Sequence, residues 1–193
     1  MRLIPYLRLA AALVLLLQLG TAAVLDRVAL VIDKKVITES EVIDELRLTE
    51  FLNSQPLDLG PAARRAAAEH LVDQELLRRE IEISNFSLPA AGEADMLLRK
   101  FRQDRFPTPA AYRAALQKYE ISEDQLREHL LWQLTAIRYT DFRFRSLQTE
   151  TSGQSADRAA DDTADSAVDH QMDAWLKQAR ANAKIAFKHE AFQ

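Results

Sequence analysis

The side chains nearest to catalytic or metal chemistry are the histidines at positions 70, 129, 170 and 189. None has a second histidine three to five residues away, the spacing that sets two imidazoles on one helix face around a metal ion. Glu69-His70 and Glu128-His129 pair a carboxylate with an imidazole, the ingredients of general acid–base work. Adjacent helical residues point about 100° apart and do not face each other, so these histidines read as surface or rim residues. The sequence has no Cys, which excludes thiolate nucleophiles, disulfides, cysteine zinc sites and a lipidated cysteine. It also lacks a Gly-x-Ser-x-Gly elbow, a Walker loop and a dinucleotide glycine fingerprint. No catalytic residue, metal ligand, nucleotide site or cofactor is therefore assigned.

Arg138-Tyr139-Thr140-Asp141-Phe142-Arg143-Phe144-Arg145 interleaves aromatics with cations, a mixture that can stack on single-stranded nucleic acid. The balance of 25 basic against 29 acidic side chains, a formal charge of −4, argues against nucleic acid as a partner. Arginines near a helix C-terminus are favoured by its dipole, and their stems cover apolar surface. The stretch reads as the end of a helix, and Lys34-Lys35 as turn residues.

Chemistry being thin, function must come from surfaces, and those depend on how the elements are arranged. Hydrophobic residues make up 48% of the 193, but 30 of them are alanines, so bulky core formers are scarce and the core is expected to be helical. With 4 Gly and 6 Pro, a sandwich or barrel with frequent turns is disfavoured. Arg2 and Arg8 precede an apolar run from Leu9 to Leu19, and Gly20-Thr21-Ala22-Ala23 places small residues where a signal peptidase cuts. Residues 1–23 thus read as a cleaved leader that directs export, the alternative being an uncleaved membrane anchor. Its loss removes Arg2 and Arg8, leaving 23 basic side chains and a charge of −6.

Val28–Ile32 and Val36-Ile37 flank Asp33-Lys34-Lys35 as a hairpin, and Thr38-Glu39-Ser40-Glu41 then opens a helix with a capping box. On that helix Val42, Ile43 and Leu46 form one stripe, while Leu48, Phe51 and Leu52 form another that needs an element, a partner or a bound chain. Gly60-Pro61 starts a longer helix to about Ser84, Pro89 begins the next, which carries Met96, Leu97, Leu98 and Phe101, and Thr108-Pro109 starts a short one. Ser122-Glu123-Asp124-Gln125 caps a helix to about Arg145, with Leu126, Leu130, Leu134 and Ile137 as its core stripe. Leu131, Phe142, Trp132 and Tyr139 lie on other sectors, so this helix is apolar nearly all round. Residues 147–166 have the composition of a flexible linker. Val168 to Ala179 restore a helix, and Lys184-Ile185-Ala186-Phe187-Lys188 reads as a terminal strand whose partner must be the N-terminal hairpin.

This organisation resembles the core module of SurA-type periplasmic chaperones. Leu25 to Thr38 is similar to the family's opening strand, turn and strand, and Ser40-Glu41-Val42 to its first helix start. His70-Leu71-Val72-Asp73-Gln74-Glu75-Leu76-Leu77 resembles its second-helix signature. Phe106-Pro107-Thr108-Pro109-Ala110-Ala111-Tyr112 with Ile121 to Arg127 resembles its last paired helices, and Trp175-Leu176 with Ala183-Lys184-Ile185 its closing helix and strand. The departure lies at 147–166, where the family carries a parvulin isomerase domain and about 20 residues are too few for one.

The expected protein is mainly α, a bundle of about six helices with a small antiparallel β element joining the chain's two ends. Its core spans 24–146 and is completed by 167–193. The resemblance implies an ATP-independent holdase for unfolded outer-membrane or secreted proteins, binding through an apolar groove, and the departure at 147–166 leads to the expectation of no isomerase activity. Leu48, Phe51, Leu52, Trp132, Tyr139 and Phe142 are the candidate client contacts. The alternative is an envelope adaptor docking one fixed partner, or a homodimer that exchanges the terminal segment across the linker.

Overall fold

The computed structural model of the chain describes residues 26–145 and 158–193. The leader expected over 1–23 and residues 147–157 of the expected linker lie outside the described residues.

Val28–Ile32 (β1) and Lys35–Thr38 (β2) form the hairpin, paired antiparallel with Ile32 opposite Lys35 and Leu30 opposite Ile37. Asp33 at its turn adopts the left-handed conformation, φ 54°, which Asp tolerates better than most residues. Ile185–Phe187 (β3) lies antiparallel on the other side of β1, with Leu30 opposite Phe187 and Ile32 opposite Ile185. The sheet order is β2-β1-β3, so the hairpin and the C-terminal strand meet as the sequence predicts. Asp33 clamps the junction: its backbone N–H donates to the Lys184 carbonyl at 2.8 Å, its Oδ1 accepts the Lys184 N–H at 2.9 Å, and its Oδ2 accepts from Arg79 at 2.6 Å.

Six helices make up most of the described chain. Glu39–Asn53 (α1) starts at a working capping box, with the Thr38 Oγ1 accepting the Glu41 N–H at 3.3 Å and the Glu41 carboxylate accepting the Thr38 N–H at 2.7 Å. Pro61–Ile83 (α2) begins on Pro61, whose missing N–H would have had no helical partner. Ala91–Arg105 (α3) ends where Phe106 is extended before Pro107. Pro109–Tyr119 (α4) is capped by Thr108, and Glu123–Thr140 (α5) by Ser122 and Gln125. The chain leaves α5 through a wide π turn, Asp141–Arg145. Arg158–Asn182 (α6) then leads to β3 and a closing 3-10 turn at His189–Phe192. Among the described residues no helix is long and apolar enough to cross a membrane.

The helix boundary at Arg158 corrects the linker reading of 147–166, because its second half is helical. Low hydrophobicity suggested a coil there, but Ala159, Ala160, Ala164 and Ala167 have high intrinsic helix propensity and continue directly into the packed part of α6.

The core has three parts. Leu30, Ile32 and Ile37 of the sheet pack with Val42 and Leu46 of α1, Ala68, Val72 and Leu76 of α2, and Trp175 of α6. The second gathers Leu48 and Phe51 of α1, Leu98 of α3, Tyr112, Leu116 and Tyr119 of α4, and Leu126 and Leu130 of α5. The two apolar stripes of α1 therefore serve two parts of one molecule. In the third, Leu77, Ile81 and Tyr139 pack with Phe86, Trp132, Met172 and Trp175.

Two expected stripes are corrected by this division. Ile137 shares a helix face with Leu126, yet is 62% exposed, because the second core part covers that face only as far as Leu130. Of the four apolar residues expected on α3, Leu98 is buried and Phe101 partly so, while Met96 and Leu97 stay exposed.

Candidate functional site

On α2 the residues Arg78, Ile81 and Glu82 lead to Asn85 just beyond the helix, and on α5 Glu128, Leu131, Trp132 and Thr135 repeat the same spacing. Steps of three, four and seven put each set on one face of its helix. The two faces confront each other across an open cleft of about 600 Å³. Asn85, left-handed with φ 53°, ends the helical run and turns the chain so that Phe86 and Leu88 complete the wall. The Phe86 ring packs edge-on against Tyr139 at 5.3 Å and tilts against Phe142 at 5.4 Å. The floor and sides are thus mainly apolar, while Glu82 and Glu128 stand on opposite banks.

Among the described residues Arg78 is the sole cation lining the cleft, and its guanidinium lies over the Trp132 ring, 4.0 Å from the centroid. Burial pulls Arg78 below the ordinary arginine range, partly offset by Glu75, Glu45 and Glu82, and the group stays charged.

Arg78, Glu128 and Trp132 also line a neighbouring concavity of about 330 Å³, which runs on to Glu41, Asp44, Glu45 and His129. The cleft therefore opens at this end into an acidic extension. At its base Glu45 is buried. One carboxylate oxygen accepts from Gln74 at 2.7 Å and from His70 Nδ1 at 2.8 Å, and the other lies 3.7 Å from His129 Nδ1. Burial pushes the Glu45 carboxyl up, but His70, His129 and Gln74 outweigh it and hold it below the usual carboxylate range. The hydrogen bond to Glu45 raises His70, whereas burial lowers His129, helped by the charges of His70 and Arg78. Among the described residues no group of three His, Asp or Glu side chains is placed to hold a metal ion. This arrangement joins three helices through one carboxylate.

The sequence-derived contact residues divide. Trp132 stands in the cleft wall, half-buried, and Phe142 is 58% exposed at its end, against Phe86. Leu48 and Phe51 are corrected to core residues. Phe51 is 4% exposed, with Phe101, Phe106 and Tyr119 rings at 5.6, 6.0 and 5.5 Å, so α3 and α4 supply the partner its stripe required. Leu52 packs against the same group. Tyr139, 1% exposed, is likewise sealed inside by α2 and α6.

Ile81, Leu131, Phe86 and Leu88 were not singled out as contacts, although all line the cleft. The matching four-residue spacing on α2 and α5 is the signal that could have found the first two. Phe86 and Leu88 follow the helix with no periodicity to mark them. The reading of all histidines as surface or rim residues is corrected for His129, which is buried. No protein-family model matches the chain, and no curated protein matches it significantly.

Proposed function

We propose that the chain is an ATP-independent holdase of the periplasm, a SurA-type chaperone core without an isomerase domain. Its clients are unfolded outer-membrane or secreted proteins. The observation carrying this reading is the cleft itself: after the bundle has closed, Ile81, Leu131, Trp132, Phe86 and Leu88 still border open space between α2 and α5. Apolar walls with a few polar groups at the rim are what an extended polypeptide needs. The leader-like residues 1–23 and the ordered motifs along the chain support the periplasmic setting and the family assignment.

The mechanism is burial without chemistry. A large apolar client side chain removed from water gains about 1.5–3 kcal/mol of transfer free energy, and ordering of the client offsets much of it. Binding by one or two such anchors is weak and reversible, which suits release to a downstream folding site. No enzymatic step is assigned.

Light scattering of several unrelated unfolded proteins diluted into the mature chain tests this. Suppression of aggregation at near-stoichiometric chain, without nucleotide, is expected. Failure with all of them, together with capture of one partner at fixed stoichiometry, would replace the holdase by an adaptor. Catalysis of prolyl-peptide isomerisation above background would overturn the non-enzymatic assignment.

A further inference from the structure

The rim of the cleft carries a charge pattern that its apolar walls do not require. Most carboxylates near the groove are matched: Asp44 with Arg47, Glu75 with Arg79, and Glu80 with Arg143. Glu82 and Glu128 are both exposed and line the cleft, and neither has a hydrogen bond or ion pair among the described residues. The one lining cation among the described residues, Arg78, lies against the Trp132 ring, and its charge is already faced by Glu75 and Glu45 as well as Glu82. Beyond it the groove runs on to Glu41, Asp44 and Glu45. An incoming chain therefore meets an apolar floor between two exposed carboxylates that no hydrogen bond or close ion pair engages among the described residues.

We infer that the cleft selects client segments in which a large apolar side chain is flanked by lysine or arginine, an inference that rests on the holdase reading above. The apolar residue fills the space against Trp132, Ile81 and Leu131, and the flanking cations reach Glu82 and Glu128. In an extended chain successive residues advance about 3.3 Å and alternate sides, so residues flanking an anchored side chain face out of the cleft, where the long stems of Lys or Arg can bend to the exposed carboxylates on either bank. A basic flank gains both pairings, and an acidic flank meets two like charges, with Arg78, already faced by three carboxylates, the one lining cation among the described residues. Such complementarity decides selectivity and encounter rate more than total affinity.

The test is fluorescence anisotropy with the mature chain and three labelled peptides that share a central Phe-Ser-Leu and carry Lys, Ser or Glu flanks. At low ionic strength the Lys-flanked peptide should bind about tenfold tighter than the Glu-flanked one, with the Ser-flanked peptide between, as exposed pairs of this kind allow. In the Glu82→Gln/Glu128→Gln variant the spread should shrink to about twofold. Reversal to Lys at both positions should invert the order. Equal binding of all three peptides, or a preference that survives both variants, overturns the inference and leaves the holdase standing. Binding of none of the three would sink the holdase reading along with it.

Discussion

The Arg78 guanidinium caps the Trp132 ring at 4.0 Å, and this one contact both walls the cleft and holds the one cation that lines it among the described residues. An Arg78→Met variant keeps an apolar stem over the ring but removes the charge. It should cost about 1 kcal/mol of stability by urea unfolding, the scale of a partly desolvated cation–π pair. In a Trp175→Phe background, the Trp132 emission should shift with it. Unchanged stability and emission would show the contact to be incidental.

The division of the large rings gives a direct contrast. Phe51→Ala should cost about 3–5 kcal/mol, because three rings lose their common neighbour. Phe142→Ala, at the exposed end of the cleft, should cost about 1 kcal/mol. Chemical denaturation measures both, and equal losses would contradict the assignment of Phe51 to the core and Phe142 to the surface.

Arg180 ties α6 to α2, donating to Asp73 at 2.6 Å, to the Glu69 carboxylate at 2.7 Å and to the Glu69 carbonyl at 2.9 Å. The site is about a third exposed, so Arg180→Ala should cost only about 1–2 kcal/mol despite three hydrogen bonds. A double-mutant cycle with Asp73→Ala should return a coupling of about 0.5–1 kcal/mol. Zero coupling would remove this link from what fastens the C-terminal segment.

The two histidines at Glu45 act in opposite pH windows, with Asp73 and Arg78 as the other charges bearing on them. His70 is raised above the ordinary 6.5, so its contribution is complete below 6.5 and fades as pH rises through the raised value. His129 is depressed, so its contribution is complete above 6.5 and fades as pH falls through the lowered value. Glu45 is held below 4.5, and its share is lost only in stronger acid. Stability should therefore peak near pH 6.5. In urea melts across pH, His129→Gln should flatten the acid side of the profile and His70→Gln the alkaline side. A profile with one sloping side, or the opposite assignment, would contradict this.

Much of the fold is written locally. The Thr38 and Ser122 capping boxes, Pro61, Pro107 and Pro109 each act within a few residues, so they mark helix boundaries without knowledge of neighbours. The pairing of the terminal strand with the N-terminal hairpin follows by elimination, as the sequence offers no other β-rich run, whereas the choice of β1 over β2 has no local signal. The site was less legible because periodicity shows that a face is apolar and not whether another element covers it. Phe51 and Trp132 carry the same kind of signal, and only the arrival of α3 and α4 separates core from cleft. The Glu45 cluster draws on α1, α2 and α5, and no spacing within any one of them announces it.

The central claim is that the space between α2 and α5 holds the client. Leu88 lines that space and is 64% exposed, so Leu88→Asp can change the cleft without disturbing the core. Ile137, equally open, lines a different concavity and supplies the control as Ile137→Asp. Affinity for a labelled, unfolded outer-membrane barrel protein, measured by anisotropy for both variants, decides the matter. Leu88→Asp should weaken binding about tenfold, as loss of one apolar contact and a new like charge require, with Ile137→Asp within about twofold of the parent. The reverse pattern, or undiminished binding by Leu88→Asp, would place the client elsewhere and contradict the account.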